Sequence, residues 1–308
     1  IAQLEKAATD SPEDIKARAT LAAKLYAGTN EKNPKADVVI VKDGFGVMHR
    51  NQASVTGDVP GVPQIGGLLL KKELAFGVEA IRSARRPVAL VFGGGAKVGD
   101  KVPMLKHIIL NTLSEGDKIF VYGGAAIPFL MAKDSSFEPG RSRTLFDNAT
   151  INMAREIMEF AEEEGVEIVL PVDFVVGDNL PSDETQKVSA SVVSRDSITP
   201  NKGAYDIGPE TVKHFREEIL DEEGRSRFGL IINNGPAGAF EYEQFRNGTQ
   251  GVFEVMAEAT QTDQSFNGAI TVVGGGDTGY AAELLGVDTK LSFVSTGGGA
   301  VLELLQGL

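Results

Sequence analysis

The stretch VALVFGGGAKVGDK, Val88 to Lys101, sets five apolar residues directly before three glycines. Such an uninterrupted apolar run is typical of a strand that is buried on both faces, and glycines at its end permit a sharp turn. The same order of strand, glycine turn and helix returns in KIFVYGGAAIPFLMA, AITVVGGGDTGYAAELLG and KLSFVSTGGGAVLELL. Buried strands that alternate with helices pair in parallel, so the sequence predicts an open, Rossmann-like α/β sheet with helices on both faces. We expect a ligand site at the carboxyl ends of its strands.

The chain before Pro87 has a different pattern, with one clear strand, VVIV at Val38 to Val41, between two helical segments. The first segment, at 11–27, opens with the capping pattern SPED, and the second is LLLKKELAFGVEAIRSA at 68–84. A lobe with one strand can barely bury it. We therefore predict an incomplete α/β lobe with its connecting helix at 1–85 and a complete lobe at 86–308.

The composition argues against several classes of protein. A net charge of −13 disfavours a protein that wraps a nucleic-acid backbone. No run approaches the roughly 18 apolar residues of a membrane span, and the mean hydropathy is −0.06. The absence of cysteine excludes disulfides and thiolate metal sites, and the first residues do not resemble a signal peptide. We expect a cytoplasmic protein that binds neither nucleic acid nor a membrane.

Glycine runs mark the ends of four predicted strands, beginning at Gly93, Gly123, Gly274 and just after Ser295. Where a helix follows such a turn, its first amide groups are free donors and its dipole favours an anion. Several of these turns at one sheet edge would form a phosphate-binding rim, whereas each alone is also explained by the steric needs of a tight turn. Neither GxxxxGK[ST] nor a GxGxxG with its ribose-binding acid is present. The pattern therefore leaves both interpretations open.

Lys97 and Lys101 follow the first glycine run and would lie on one face if a helix begins there. Two such cations suit the oxygens of a phosphoryl group in transfer, because positioned charge stabilises its transition state. The alternative is a lysine pair in a solvated first turn, but cations at a helix N-terminus oppose the dipole. That conflict favours a functional role for the two lysines.

Three further residues have two interpretations each. Asp277, which follows three glycines, is either a helix N-cap or a carboxylate that holds Mg²⁺ on nucleotide phosphates. Glu241 either accepts hydrogen bonds from ribose hydroxyls or faces solvent. Arg50, beside the lone loop histidine His49, is either structural or a fork for a phosphate or carboxylate.

Eight segments in this order resemble phosphoglycerate kinase: DGFGVMHRNQAS, LLLKKEL, GGAKVGDK, EIVLPVDFVV, YDIGPET, NGPAGAFE, VVGGGDT and STGGGAVLELLQG. The resemblance extends from about Asp37 to the last residue. It implies a two-lobed glycolytic kinase whose N-terminal lobe binds phosphoglycerate on a basic patch and whose C-terminal lobe binds Mg-ADP or Mg-ATP. Closure of the hinge then permits direct phosphoryl transfer.

The resemblance also implies roles for individual residues. Arg50 would belong to the basic patch, Asn234 and Glu241 would meet the ribose and phosphate region, and Asp277 would approach the metal. The remaining residues would surround the phosphates and the nucleoside: Lys97, Lys101 and Gly276 at the transferring phosphoryl group, Gly94, Gly95, Gly123 and Gly124 at the nucleoside pocket, and Gly275 and Thr278 at the helix that faces the phosphates.

This sequence departs from the family pattern at several places. The family's GGGMA is GGAAI at Gly123, its GLDxGP is AYDIGP at Ala204, and its WNGP is NNGP at Asn233. The family's early segments RVDFNVP, SHLGRP and ENLRF, and its closing GKxLPGV tail, do not occur in the 308 residues. We expect these changes to alter the nucleoside pocket slightly and to leave the phosphoglycerate side incomplete.

Two main hypotheses follow from the resemblance. The first is an incomplete form of phosphoglycerate kinase, which reversibly transfers a phosphoryl group between 1,3-bisphosphoglycerate with ADP and 3-phosphoglycerate with ATP, and which is a monomer when complete. The alternative is a short relative that binds adenine nucleotide without catalysis. A structural protein that kept the fold is a third interpretation.

Overall fold

The computed structural model describes residues 13, 16–17, 20–21, 39–50, 52–56, 62–83, 85–95, 101–182, 187–261 and 268–307. The chain forms two compact units, Ile1–Glu79 and Ala80–Leu308, called here the first and second units. Most of the helix predicted at 11–27 lies outside the described residues, and so does Lys97. The functional division at 85/86 stays a prediction.

The first unit contains a two-stranded parallel sheet. Strand β1 (Ile40–Lys42) pairs with β2 (Gln64–Gly66), and the short helix α1 (Ala53–Thr56) lies between them in the chain. Helix α2 (Leu68–Ser83) follows β2 and continues into the second unit. Its first turn is held by Asp43, whose Oδ1 accepts a hydrogen bond from the backbone N–H of Leu70 at 2.7 Å. The loop after β1 thereby fixes the start of α2.

The second unit is built around six parallel strands: β3 (Val88–Phe92), β4 (Lys118–Val121), β5 (Glu167–Val169), β9 (Leu230–Asn234), β10 (Ile270–Gly274) and β11 (Phe293–Ser295). Their order across the sheet is β11-β10-β9-β3-β4-β5. Chain order therefore runs outward from the centre in both directions, as in a doubly wound sheet, and the direction switches between β3 and β9. These two central strands pair along their whole length, from Val88 opposite Leu230 to Phe92 opposite Asn234. The predicted parallel α/β sheet is confirmed.

Seven helices of the second unit are described: α3 (Val102–Asn111), α4 (Ala126–Lys133), α5 (Asn148–Glu163), α6 (Pro209–Ile219), α7 (Asn247–Gln261), α8 (Gly276–Leu284) and α9 (Gly298–Leu305). Helix α5 contacts α3 and α4, and α3 also contacts α9; in a second group, α7 contacts α6 and α8. Between the second group and the sheet, Phe120 of β4 packs edge-on against Phe215 and Phe228, with ring centroids 5.1 and 6.0 Å apart. The alternation of strand and helix thus encloses a continuous apolar core.

A small antiparallel sheet, which the sequence pattern did not predict, adjoins this core. It has the order β7-β6-β8, with β6 (Asp173–Gly177), β7 (Ala190–Ser194) and β8 (Gly203–Ile207). Asp173 links it to α6, because its carboxylate accepts hydrogen bonds from the backbone N–H groups of Glu210 and Thr211 at 3.1 and 2.8 Å. Within the described ranges, no helix has the length and apolar character needed to cross a bilayer.

Candidate functional site

The turns after β3 and β9 meet at the point where the sheet changes direction. The backbone N–H of Gly93 donates to the carbonyl of Asn234 at 2.9 Å, and that of Gly94 donates to the carbonyl of Pro236 at 3.0 Å. Gly235 has a φ of 104°, which side-chain-bearing residues rarely adopt, and a Cβ there would collide with the carbonyl oxygen of Gly93. The two turns are therefore packed backbone against backbone.

The turn after β4 joins this pair. The N–H of Ala125 donates to the carbonyl of Gly94 at 3.2 Å. A Cβ on Gly123 would collide with the carbonyl oxygen of Ala237, and one on Gly124 would lie 2.9 Å from that of Gly94. The glycines of GGAAI thus allow the β4 turn to lie directly on its two neighbours.

The turns after β10 and β11 contact the turn after β9. The Oγ1 of Thr278, a buried residue in the first turn of α8, accepts a hydrogen bond from the N–H of Gly235 at 3.0 Å. Gly275 has a φ of 118°, and a Cβ on Gly298 would lie 2.9 Å from its Cα. All the glycine turns that the sequence singled out are therefore neighbours at one edge of the sheet.

Asn234 and Lys101 form the polar centre of this edge. Asn234 is only 1% exposed, its Nδ2 donates to the carbonyl of Gly298 at 2.9 Å, and its Oδ1 accepts from the Nζ of Lys101 at 3.1 Å. Burial lowers the pKa of the half-buried Lys101 ammonium, while the negative charge of Asp277 raises it. The side chains of Lys101, Asn234 and Asp277 therefore face the same part of the edge.

The helix after the first glycine run begins at Val102, with Pro103 in its first turn, and Lys101 directly precedes it. Lys97 lies outside the described residues, so the structure does not test whether the two lysines share a helical face. Lys101 sits at the N-terminus of α3, where the dipole disfavours a cation. Its hydrogen bond to Asn234 and its proximity to Asp277 offset that disadvantage.

The other predicted site residues differ in position. Gly95, Gly276 and Asp277 are exposed, and a Cβ on Gly95 or Gly276 would meet no atom within 4 Å. Glu241 is also exposed, in the loop that follows β9. Arg50 belongs to the first unit, where it lies just after the turn Phe45–Val47 and is exposed.

Two buried residues behind the turns were not predicted as site residues. Tyr122 is fully buried at the end of β4, and its hydroxyl donates to the carbonyl of Gly235 at 2.8 Å. The Nδ2 of Asn233 donates to that hydroxyl at 2.6 Å. The only signal in the sequence was a polar group at the end of each of two apolar strands, and Asn233 alone was noted, as a departure from the family pattern WNGP.

Thr249, in the first turn of helix α7, fixes the loop after β9. Its Oγ1 accepts hydrogen bonds from the backbone N–H groups of Ala237 and Gly238 at 3.1 and 3.2 Å. The start of the same helix, α7, is tied to Asp206, whose Oδ2 accepts from the N–H of Gly248 at 2.7 Å. The loop that carries the candidate site is thus fixed by side chains from several elements.

A doubly wound α/β sheet with several glycine turns and helix N-termini at its switch point defines a protein of the Rossmann-like, nucleotide-binding class. The family model described as phosphoglycerate kinase matches residues 16–308. The chain belongs to the phosphoglycerate kinase family, and the resemblance stated from its eight segments is confirmed.

Individual relatives agree with this family. The chain is 39% identical over 274 residues to phosphoglycerate kinase of Chloroflexus aurantiacus, covering 87% of this chain and 61% of the relative. It is 37% identical over 277 residues to a probable phosphoglycerate kinase of Caenorhabditis elegans, covering 90% and 61%. The chain thus spans about three fifths of the length of these curated relatives.

Solved structures show the same fold. The structure of phosphoglycerate kinase from Coxiella burnetii matches with a TM-score of 0.71 and 32% identity, over 94% of this chain and 66% of that one. The enzyme from Pyrococcus horikoshii matches with a TM-score of 0.72 and 26% identity, over 98% and 68%. The family is one of phosphotransferases with nucleotide substrates, generally used together with Mg²⁺.

Proposed function

We propose that this chain forms the nucleotide-binding part of a phosphoglycerate kinase, which transfers a phosphoryl group reversibly between 1,3-bisphosphoglycerate with ADP and 3-phosphoglycerate with ATP. The observation that carries the proposal is the convergence of five strand-end turns on the Lys101–Asn234 pair at the switch point. Family membership supplies the reaction.

The nucleotide phosphates would bind where the helices begin. Helices α8 and α9 start directly after their glycine turns, at Gly276 and Gly298. Their first N–H groups have no partner within the helix, and their dipoles favour an anion at this end. The exposed position of Gly276, with nothing near its Cα on the side of a Cβ, leaves room for a phosphate to approach.

Lys101 would stabilise the phosphoryl group in transfer. Its ammonium is half-buried and oriented by Asn234, and a desolvated, positioned cation stabilises developing negative charge better than a solvated one. The lowered pKa of Lys101 has burial as its main cause, and a bound phosphate anion would compensate for the hydration that the buried ammonium lacks. Lys97, from the same glycine run, is proposed to act beside it.

The nucleoside would lie against Gly94, Gly95, Gly123 and Gly124, with Asn234 and Glu241 toward the ribose and phosphates. Tyr205, where the family usually has an aliphatic residue, packs edge-on against Phe245, with centroids 5.2 Å apart. Its ring is therefore held in place, which makes adenine binding sensitive to this position.

Mg²⁺ would be held by Asp277 together with phosphate oxygens. The carboxylate is exposed in the first turn of α8, and carboxylate oxygen is a ligand that Mg²⁺ prefers. Among the described residues no cluster of three or more metal-ligating side chains occurs. A single carboxylate suits this cation, which usually takes one or two from the protein and the rest from water and substrate. When bound, the ion would neutralise charge on the phosphates.

Arg50 would contribute to the basic patch for the phosphoglycerate. The first unit would supply this side, and the second unit the nucleotide. Cytoplasmic location, a monomeric complete protein and the lack of nucleic-acid binding stay predictions.

The experiment is a coupled assay of the complete gene product for ATP turnover that depends on 3-phosphoglycerate. Lys101→Met is expected to lower kcat by about 10²–10³-fold, since it removes a positioned charge. Lys213→Met, which removes an exposed lysine on α6, is the matched control and should retain wild-type kcat. Absence of 3-phosphoglycerate-dependent turnover in the wild type, or equal kcat in the two variants, would contradict the proposal.

Nucleotide binding without transfer is the second candidate function. The altered pocket residue Tyr205, beside glycine turns that are otherwise complete, favours it. Calorimetry that shows Mg-ADP binding by a gene product with no detectable transfer would support this candidate over the kinase.

A further inference from the structure

A buried hydroxyl lies directly behind the candidate site. The single hydroxyl hydrogen of Tyr122 goes to the carbonyl of Gly235, and its oxygen accepts from the Nδ2 of Asn233. Both side chains are 0% exposed, so neither can touch a ligand. Burial also raises the pKa of the Tyr122 hydroxyl, which keeps the donor protonated.

The Tyr122 ring shapes the first glycine turn. A Cβ on Gly93 would collide with the Cε1 of this ring. The ring therefore forms the support on which the turn after β3 rests, and the hydroxyl at its end reaches the turn after β9. One side chain thus fixes the separation of the two turns that border the switch point.

The Gly235 backbone is held on both sides. Its N–H donates to Thr278 at 3.0 Å, and its carbonyl accepts from Tyr122 at 2.8 Å. Gly235 directly follows Asn234, whose Oδ1 accepts from the ammonium of Lys101. A change in the Gly235 peptide therefore moves the Asn234 side chain and, through it, the Lys101 ammonium.

Asn233 serves this arrangement at the expense of its own hydrogen bonding. Among the described residues, its Oδ1 is buried with no hydrogen-bond partner, a situation that disfavours the folded state. A flipped amide would accept from Tyr122 and satisfy this oxygen, but it would take the hydroxyl hydrogen away from Gly235. The observed orientation keeps Tyr122 donating to the turn.

We propose that Tyr122, with Asn233 as its hydrogen-bond donor, is a positioning residue that sets the location of Asn234 and the Lys101 ammonium at the proposed phosphoryl-transfer site. The proposal rests on the proposed function for its kinetic consequence, whereas its structural consequence is independent of catalysis. Tyr122→Phe removes the hydroxyl and keeps the ring under Gly93.

The kinetic test uses the complete gene product. Tyr122→Phe should lower kcat by about tenfold with little change in KM for ATP, because a small misplacement of Lys101 weakens contacts made in the transition state. Asn233→Leu should lower kcat less, and it should have no further effect in the Tyr122→Phe background because both act through one hydroxyl.

Thr271→Val is the matched control. Thr271 is fully buried near the start of β10, away from its carboxyl end, and its Oγ1 accepts from the N–H of Ser292 at 3.0 Å. This variant loses a buried hydroxyl from the same sheet, so it should lower the urea midpoint while leaving kcat unchanged. Equal kcat in Thr271→Val and Tyr122→Phe would overturn the positioning role.

A spectroscopic test separates this proposal from the proposed function. In nucleotide-free protein, the side-chain amide resonance of Asn234 and the backbone amide of Gly235 should shift in Tyr122→Phe and stay in place in Thr271→Val. Unshifted resonances would overturn the inference even if the wild type is an active kinase. Shifted resonances in a protein without turnover would support it while contradicting the kinase.

Discussion

The two units of the chain differ in how completely they bury their apolar side chains. In the second unit every residue of the central strand β3 is at most 4% exposed, whereas in the first unit Leu68 is 85% and Val41 58% exposed. The second unit covers its sheet with helices of its own on both faces. The two-stranded sheet of the first unit buries Ile40 but leaves its neighbour Val41 exposed, because a sheet of two strands covers few apolar residues. Among the described residues, most of the buried apolar side chains therefore belong to the second unit.

The same contrast holds for the proposed functional residues. In the second unit, Lys101, Asn234 and Thr278 are joined to the turns by hydrogen bonds between elements. In the first unit, Arg50 is exposed. A site that is organised in advance needs a rigid surrounding structure, and the hydrogen bonds around Lys101 and Asn234 provide one in the second unit.

The largest expected effect tests the contrast in burial directly. Phe120→Ala should lower the free energy of unfolding by about 3–5 kcal/mol, because it opens a cavity among Phe215, Phe228 and the sheet. Leu68→Ala, in the first unit, should change it by no more than about 0.5 kcal/mol. Urea denaturation of both variants measures the difference. Similar losses of unfolding free energy in the two variants would contradict the contrast in burial between the units.

An intermediate effect concerns a buried carboxyl group of the second unit. Burial raises the pKa of Asp206 to about 8, although the N–H groups of Gly248 and Ile207 lower it. In the unfolded chain the pKa is about 4, so the folded protein retains a proton between these values that the unfolded chain releases. The stabilisation is complete below about pH 4 and is lost as the pH rises toward 8. From pH 6 to pH 7 the free energy of unfolding should fall by about 1.4 kcal/mol from this group.

Asp206→Asn tests this assignment. The variant cannot titrate, so its free energy of unfolding should lack this fall between pH 6 and pH 7. The substitution should also lower the free energy of unfolding by the same amount at every pH. Asp196→Asn removes an exposed carboxyl group and serves as the control that keeps the slope. An unchanged slope in Asp206→Asn would show that this buried carboxyl is ionised in the folded protein.

The smallest expected effect lies on the surface of the second unit. Arg216 and Glu258 form a two-pronged ion pair between α6 and α7, with Nη2 and Oε1 2.5 Å apart. Both side chains are more than a third exposed, so their coupling should be below about 1 kcal/mol and weaken in high salt. A double-mutant cycle with Arg216→Met and Glu258→Gln measures it. A coupling of several kcal/mol would show that the surface of this unit contributes as much as its core.

Much of this fold was predictable because its strands are continuous apolar runs. VALVF and LIINN are buried on both faces, which parallel pairing with helices on each side provides. The antiparallel sheet was missed because β7, ASVVS, is largely exposed and has no buried face to impose a pattern. Helix α3 begins at Val102, directly after GGGAKVGDK, where the sequence placed an apolar helix.

The sequence by itself determined the class of sheet, the positions of the glycine turns and the family, because these depend on local composition and on ordered motifs. Only the tertiary structure decided that β3 and β9 lie side by side, and that Lys101 reaches Asn234 across 133 positions of chain. It also decided that Tyr122 and Asn233 share one hydrogen-bonded network behind those turns. The physical reason is that such contacts arise from strand order and close packing of distant segments, and local patterns along the chain do not specify either of them.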